Sequence, residues 1–205
     1  MFKTAAVVVA GLCLLAAPAL AQDGGWEFGV SAGAVFTHAV EGNGIRQSAT
    51  NSGMYLLSMR RRLGSGFGVD FNYGRTKNSQ EYENPSAAYR IQDQITEVTG
   101  NVVFSPFSTA RLETFILGGG GVLFFSPNSV QINQNLVSIQ TARQGRGVIL
   151  YGAGVDYHLI SRFSLRLQYR GLFYSPPDFK VQVTPLFTGA RGHMAEPSVG
   201  IVFRF

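Results

Sequence analysis

The chain has 205 residues, a formal charge of +5, 14% charged and 12% aromatic residues, 25 glycines and one cysteine. So thin a positive balance is not the dense basic face of a nucleic-acid binder, and one thiol permits no disulfide framework. Beyond the leader described next, no apolar run reaches the roughly 20 residues of a spanning helix, which leaves a membrane barrel, whose strands signal by alternation.

Lys3, the apolar stretch Ala5 to Ala17 and the small-residue site Ala19-Leu20-Ala21 have the order of a secretory signal peptide. Residues 1–21 are therefore expected to be cleaved, leaving 22–205 as one barrel domain. Losing Lys3 takes the charge from +5 to +4, and Cys13 goes with it. Ala10-Gly11-Leu12 before Cys13 is not a lipoprotein box, so no acyl anchor is expected.

Period-two alternation predicts eight strands. They are Trp26 to Phe36, Met54 to Leu63, Phe67 to Arg75, Ile91 to Phe104, Leu112 to Phe125, Val148 to Leu159, Phe163 to Tyr174, and the terminal Ser198 to Phe205. In the first, Trp26, Phe28, Val30, Ala32, Ala34 and Phe36 share a face opposite Glu27 and Ser31. The faces of the second are ambiguous. In the fifth, Phe115, Leu117, Leu123 and Phe125 form the apolar face, against a mixed face of Thr114, Ile116, Gly118, Gly120 and Val122. The seventh is the clearest, with Leu165, Leu167 and Tyr169 alternating with Ser164, Arg166, Gln168 and Arg170.

Short links (Gly64-Ser65-Gly66, Ser105 to Arg111, Ile160 to Arg162) alternate with long polar ones (Thr37 to Gly53, Thr76 to Arg90, Ser126 to Gly147, Ser175 to Pro197). That rhythm separates periplasmic turns from four extracellular loops. The expected fold is all-β: an eight-stranded antiparallel up-and-down transmembrane barrel, monomeric, in the outer membrane and in contact with its lipid.

A soluble barrel would carry its apolar face inward and a Lys/Glu-rich face outward. Only three lysines occur, Lys3, Lys77 and Lys180, so the polar face is assigned to the lumen. Trp26, Phe36, Phe67, Tyr73, Phe104, Phe125, Tyr157, Phe163, Tyr174 and Phe205 fall near strand ends, where aromatic girdles are expected. An eight-stranded lumen is narrow enough for side chains to fill. Arg166, Arg170 and Arg204 are thus expected to pair with Asp70, Asp156, Glu27 and Glu97 as an ion-pair plug. The alternative is a narrow porin-like channel whose selectivity those arginines set. Arg60-Arg61-Arg62, beside the turn at Gly64, is expected to anchor at the inner interface.

The chain ends in "SVGIVFRF", apolar at alternate positions, the closing strand that pairs with the first. Ser198, Gly200, Phe203 and Phe205 resemble the C-terminal signal that the barrel assembly machinery reads. "FILGGGGVLFF" and "YGAGVDYHLISRFSLRLQYRGLFYS" resemble the fifth to seventh strands of small OmpA-type and opacity-type outer-membrane barrels. The resemblance covers the mature chain and implies fold and location far more than activity.

Catalysis on lipid, known for some small barrels, would need a nucleophile, a base and an orienting group. His38 and His193 fall in outer loops and His158 near an inner turn, without a recognisable constellation. Three scattered histidines give no metal-ligand spacing. Gly118 to Gly121 lies inside a strand and is no phosphate loop. No catalytic, cofactor or metal residue is therefore assigned. The extracellular ligand is not named by the sequence.

Overall fold

In lipid a strand must give every backbone N–H and C=O a partner on a neighbouring strand, and only a closed ring of strands does so. The computed structural model describes residues 25–64, 66–84, 87–132, 135–137, 142–179 and 188–205, and the expected leader lies outside them. The strands are β1 (Trp26–Thr37), β2 (Val40–Gly42), β3 (Ile45–Ala49), β4 (Ser52–Gly64), β5 (Phe67–Asn84), β6 (Ala87–Ser108), β7 (Leu112–Ile132), β8 (Asn135–Val137), β9 (Gln144–Ile160), β10 (Phe163–Tyr174) and β11 (Gly192–Arg204). Eight of them, β1, β4, β5, β6, β7, β9, β10 and β11, pair antiparallel in that order, and β11 returns to β1. The protein is a closed eight-stranded antiparallel barrel.

The seam is set by the terminal strand. Phe205 N–H donates to Trp26 O and Trp26 N–H to Phe205 O, both at 3.0 Å, and the register runs from Glu27↔Arg204 to Thr37↔Met194. Gly200 stands opposite Ser31. A Cβ there would lie 2.4 Å from the Val30 carbonyl oxygen and 2.1 Å from Ser31 Oγ, closer than any real contact. Gly200→Val is therefore expected to push the seam apart. After refolding in detergent, where no assembly machinery acts, cold-loaded electrophoresis should show loss of the fast-migrating folded band, which Ser198→Ala retains.

Several strands run further outward than alternation suggested. β5 and β6 remain paired to Asn84↔Ala87, so the expected loop Thr76 to Arg90 is a β-ribbon. Beyond the lipid a strand no longer needs an apolar outer face, and its polar residues disguise it. The first expected loop contains β2 and β3, joined at Asn43 (φ 52°) and Gly44 (φ 73°). Both angles are positive, as an Asn-Gly hairpin turn requires. β3 then bonds to β5 through Arg46↔Glu83. In the third expected loop β7 extends to Ile132 and β9 begins at Gln144; in the fourth, β11 begins at Gly192. His193 thus belongs to a strand, with its ring 6.3 Å from that of His38.

An apolar belt faces outward. Phe28, Val30, Phe71, Val98, Val102, Ile116, Leu165, Leu167, Val199 and Ile201 are 42–63% exposed, far more contiguous apolar surface than water tolerates. Phe67, Phe163, Phe203 and Phe205 ring its inner edge, and Phe36, Tyr55, Tyr73 and Phe173 its outer side. Phe125 and Tyr174 correct the girdle expectation: they are 0% and 3% exposed and lie inside the barrel.

Candidate functional site

The lumen is filled in two tiers. Because side chains alternate strictly, one inward residue fixes a whole strand. Glu113 on β7 points inward and carries Phe115, Leu117, Leu123 and Phe125 with it, while Ile116 and Phe124 meet lipid. The apolar face of the fifth predicted strand is therefore lumenal, a reversal of its expected orientation.

The inner tier is ionic. Arg166 forks onto Asp156, its Nε to Oδ1 and Nη2 to Oδ2 both at 2.7 Å, and reaches Glu27 at 3.3 Å. Arg170 forks onto Glu97 at 2.9 and 2.7 Å and also bonds Glu196. Arg204 contacts Glu27 at 2.9 Å and Glu113 at 3.5 Å. Asp70 meets none of these three arginines in an ion pair; its partner is Arg60, at 3.1 Å. Arg62 joins Glu27 at 2.6 Å to Glu113 at 2.7 Å. Four of these pairs stand directly across a strand junction, Arg60↔Asp70, Arg166↔Asp156, Arg170↔Glu196 and Glu27↔Arg204, where opposite charges sit closest. The Phe115 ring lies under both guanidiniums, with Arg60 Cζ at 4.5 Å and Arg166 Cζ at 5.0 Å from its centroid.

Arg60, Arg62, Glu113 and Glu196 complete the network beyond the seven charges that alternation singles out. The arginine triplet held a signal, since parity from the β4–β5 turn sends Arg60 and Arg62 inward and leaves Arg61 outside, its Cζ 5.1 Å from the Trp26 ring centroid. Glu196 fell in a stretch expected to be loop. A recess of about 240 Å³ at the inner mouth is lined by Arg60, Arg62, Ser105 and Glu113. His158 Nδ1 lies 2.7 Å from Ser164 Oγ, and its Nε2 3.8 Å from Glu113 Oε2.

The outer tier is apolar except along β5 and part of β6, where Thr76, Asn78, Gln80 and Asp93 face inward. Leu56, Ile95, Leu117, Leu123, Phe125, Leu150, Leu172 and Met194 are at most 6% exposed. Phe179 closes it from above, its ring centroid 6.5 Å from that of Phe125 and 6.4 Å from that of Tyr82. Phe179 holds φ at 50°, a conformation unfavourable for a bulky residue. It is pinned there by its N–H to Gln144 Oε1 at 3.2 Å, by Ala142 N–H to its own carbonyl at 3.0 Å, and by Tyr82 O–H to Pro177 O at 2.7 Å.

Asp93 stands beyond the lipid belt, where the outward neighbours on β6 are Gln92 and Gln94, yet its carboxylate is 1% exposed and faces the lumen. Burial pushes its pKa from 3.8 up to about 7, since the Gln94 and Ser126 backbone N–H groups nearby do not reach hydrogen-bond geometry with either carboxylate oxygen. An acid raised by folding holds a proton that the unfolded chain releases, so stability falls as pH rises from about 4 to about 7 and is level above. The full loss is about 4 kcal/mol at 1.36 kcal/mol per unit. Asp93→Asn is expected to be roughly 3–4 kcal/mol more stable than the parent at pH 8 and equal to it at pH 4, measured by urea unfolding in vesicles.

A closed, lipid-belted barrel with charged residues inside defines an outer-membrane β-barrel protein. The match of residues 7–195 to the outer membrane protein beta-barrel domain model places the chain in that family, and its location is the outer membrane. Among solved structures it resembles OprG from Pseudomonas aeruginosa (12% identity, 90% of this chain and 97% of that one, TM-score 0.56). It likewise resembles Neisserial surface protein A (14%, 90% and 100%, 0.53). A third is Ail, the attachment invasion locus protein of Yersinia pestis, solved with the heparin analogue sucrose octasulfate (17%, 88% and 99%, 0.50). At these identities the likeness is one of fold. No curated protein matches the chain.

Proposed function

We propose that the protein is a non-enzymatic, monomeric outer-membrane barrel with a sealed lumen, a rigid mount whose outer ribbons and loops make contacts at the cell surface. The observation that carries this is the filled interior: charges paired with one another below, and above them an apolar layer of Leu117, Leu123, Phe125, Leu150 and Leu172, capped by Phe179 and packed against the polar inner face of β5. That arrangement favours the plug over the porin-like alternative. The Ser164–His158–Glu113 series has the order of a catalytic relay without its geometry. The histidine-to-glutamate separation exceeds a hydrogen bond, Glu113 is held by Arg62 and Ser105, and Ser164 is 5% exposed.

Residues 1–21 serve export on this reading. Ser198, Gly200, Phe203 and Phe205 serve assembly. The Phe203 ring stacks at 5.8 Å on Phe205, giving the last strand an aromatic outer face that is readable before the seam shuts.

The surface role is tested by replacing residues 78–93 with Asn-Gly, a turn that fits because Lys77 and Gln94 are cross-strand partners. Bacteria displaying the full chain should adhere to heparin-coated or matrix-protein-coated wells above vector level. The shortened, still heat-modifiable barrel should not. Equal adhesion of the two on every surface contradicts the reading.

A further inference from the structure

On the outside of the barrel, the wall of β4, β5 and β6 carries positive charge that is not compensated as the lumenal charge is. Outward residues form cross-strand rows. Val30, Leu57, Tyr73, Val98 and Val122 make one row that is apolar but for the Tyr73 hydroxyl. One step outward the row becomes Ala32, Tyr55, Arg75 and Thr96, and in the next Lys77 stands opposite Gln94. The two cations therefore stand where the apolar belt ends, at the headgroup level of the outer leaflet.

Arg75 Nη2 donates to Gln94 Oε1 at 2.5 Å, while its buried Nε bonds to nothing among the described residues. Surface ion pairs do occur, between Arg46 and Glu41, Arg90 and Glu81, and Arg146 and Asp178. Among the described residues none reaches Arg75 or Lys77. Beside the cations the wall is hollow, because Ala32, in the Arg75 row, and Gly53, opposite Ala34 one row further out, offer little or no side chain. A groove of about 790 Å³ runs there, bordered by Tyr55, Arg75, Lys77 and Gln94.

We infer that this groove binds a phosphorylated glycolipid of the outer leaflet, with an acyl chain descending past Ala32 and Tyr55 to the apolar Val30–Leu57 row and a sugar phosphate between Arg75 and Lys77. The guanidinium offers a planar donor fork and the ammonium a mobile point charge, two complementary ways to reach phosphate oxygens. A zwitterionic phospholipid brings no net charge to the cations. A free anion leaves the apolar floor in water. The site is independent of whether the lumen is sealed, so the two readings fail separately.

The test is native mass spectrometry of the folded barrel in maltoside micelles, titrated with purified lipid A. The wild type should hold lipid A at least tenfold tighter than the Arg75→Gln/Lys77→Gln double variant. Ala32→Trp, which fills the trough and keeps both charges, should weaken binding by a similar factor. Tenfold excess inorganic phosphate should leave the lipid bound. Unchanged affinity in the double variant, displacement by phosphate, or equal retention of phosphatidylcholine would overturn the site. Gel mobility before heating verifies that each variant is folded.

Discussion

Arg166→Ala is expected to destabilise the barrel by about 3–5 kcal/mol, the cost of leaving buried charge unpaired. Arg166 is 1% exposed and is the forked partner of Asp156, which is 0% exposed. Its removal leaves Asp156, among the described residues, with the distant Arg60 Nη1 as its one cation, at 3.9 Å, and strips one guanidinium from the Phe115 ring. The loss arises from the stranded acid rather than from any large net worth of the pair. Replacing both partners together, Arg166→Met with Asp156→Leu, is therefore expected to recover most of it, since Glu27 keeps Arg62 and Arg204. Urea unfolding in vesicles, followed through Trp26, checks both variants. A double variant as weak as the single one would mean that the network acts as an indivisible unit.

Phe125→Ala is expected to cost about 3–5 kcal/mol, the range for removing a large aromatic from a packed interior. The ring is fully buried, 5.8 Å from the Tyr174 centroid and 6.5 Å from that of Phe179. Its neighbour Phe124 is 39% exposed on the lipid side, and Phe124→Ala is expected to cost about 1 kcal/mol or less because no cavity forms. The comparison reports the facing of β7 directly. Equal losses, or a larger loss at Phe124, would restore the girdle assignment that strand-end position suggests for Phe125.

That strand shows where sequence reasoning reaches and where it stops. Alternation on β10 was unambiguous because Arg166 and Arg170 label one face as inward. On β7 both faces are apolar, so composition gave no direction. The single label, Glu113, stands one residue inside the strand, too close to the turn to mark a face by itself. The ends of the strands were hidden for a related reason: past the Arg75–Thr96 level no lipid enforces an apolar face, and the β5–β6 ribbon resembles loop in composition. Ring closure was legible in Val199, Ile201, Phe203 and Phe205. Of the lumenal network, the arginines of β10 and β11 and the acids of β1, β5, β6 and β9 were visible in alternation. Their partners were not, because pairing follows cross-strand register, and register depends on the turns and the shear of the closed barrel. Asp70 illustrates the point: register gives it to Arg60 rather than to an arginine of β10.

The claim that the interior is sealed is tested most directly by the conductance of the purified, heat-modifiable wild-type barrel in a planar lipid bilayer. The account predicts a silent membrane from protein shown to be folded and inserted. Discrete, reproducible unitary steps, with a reversal potential that shifts on Arg166→Glu or Arg170→Glu, would contradict it and make the inner tier a selectivity filter.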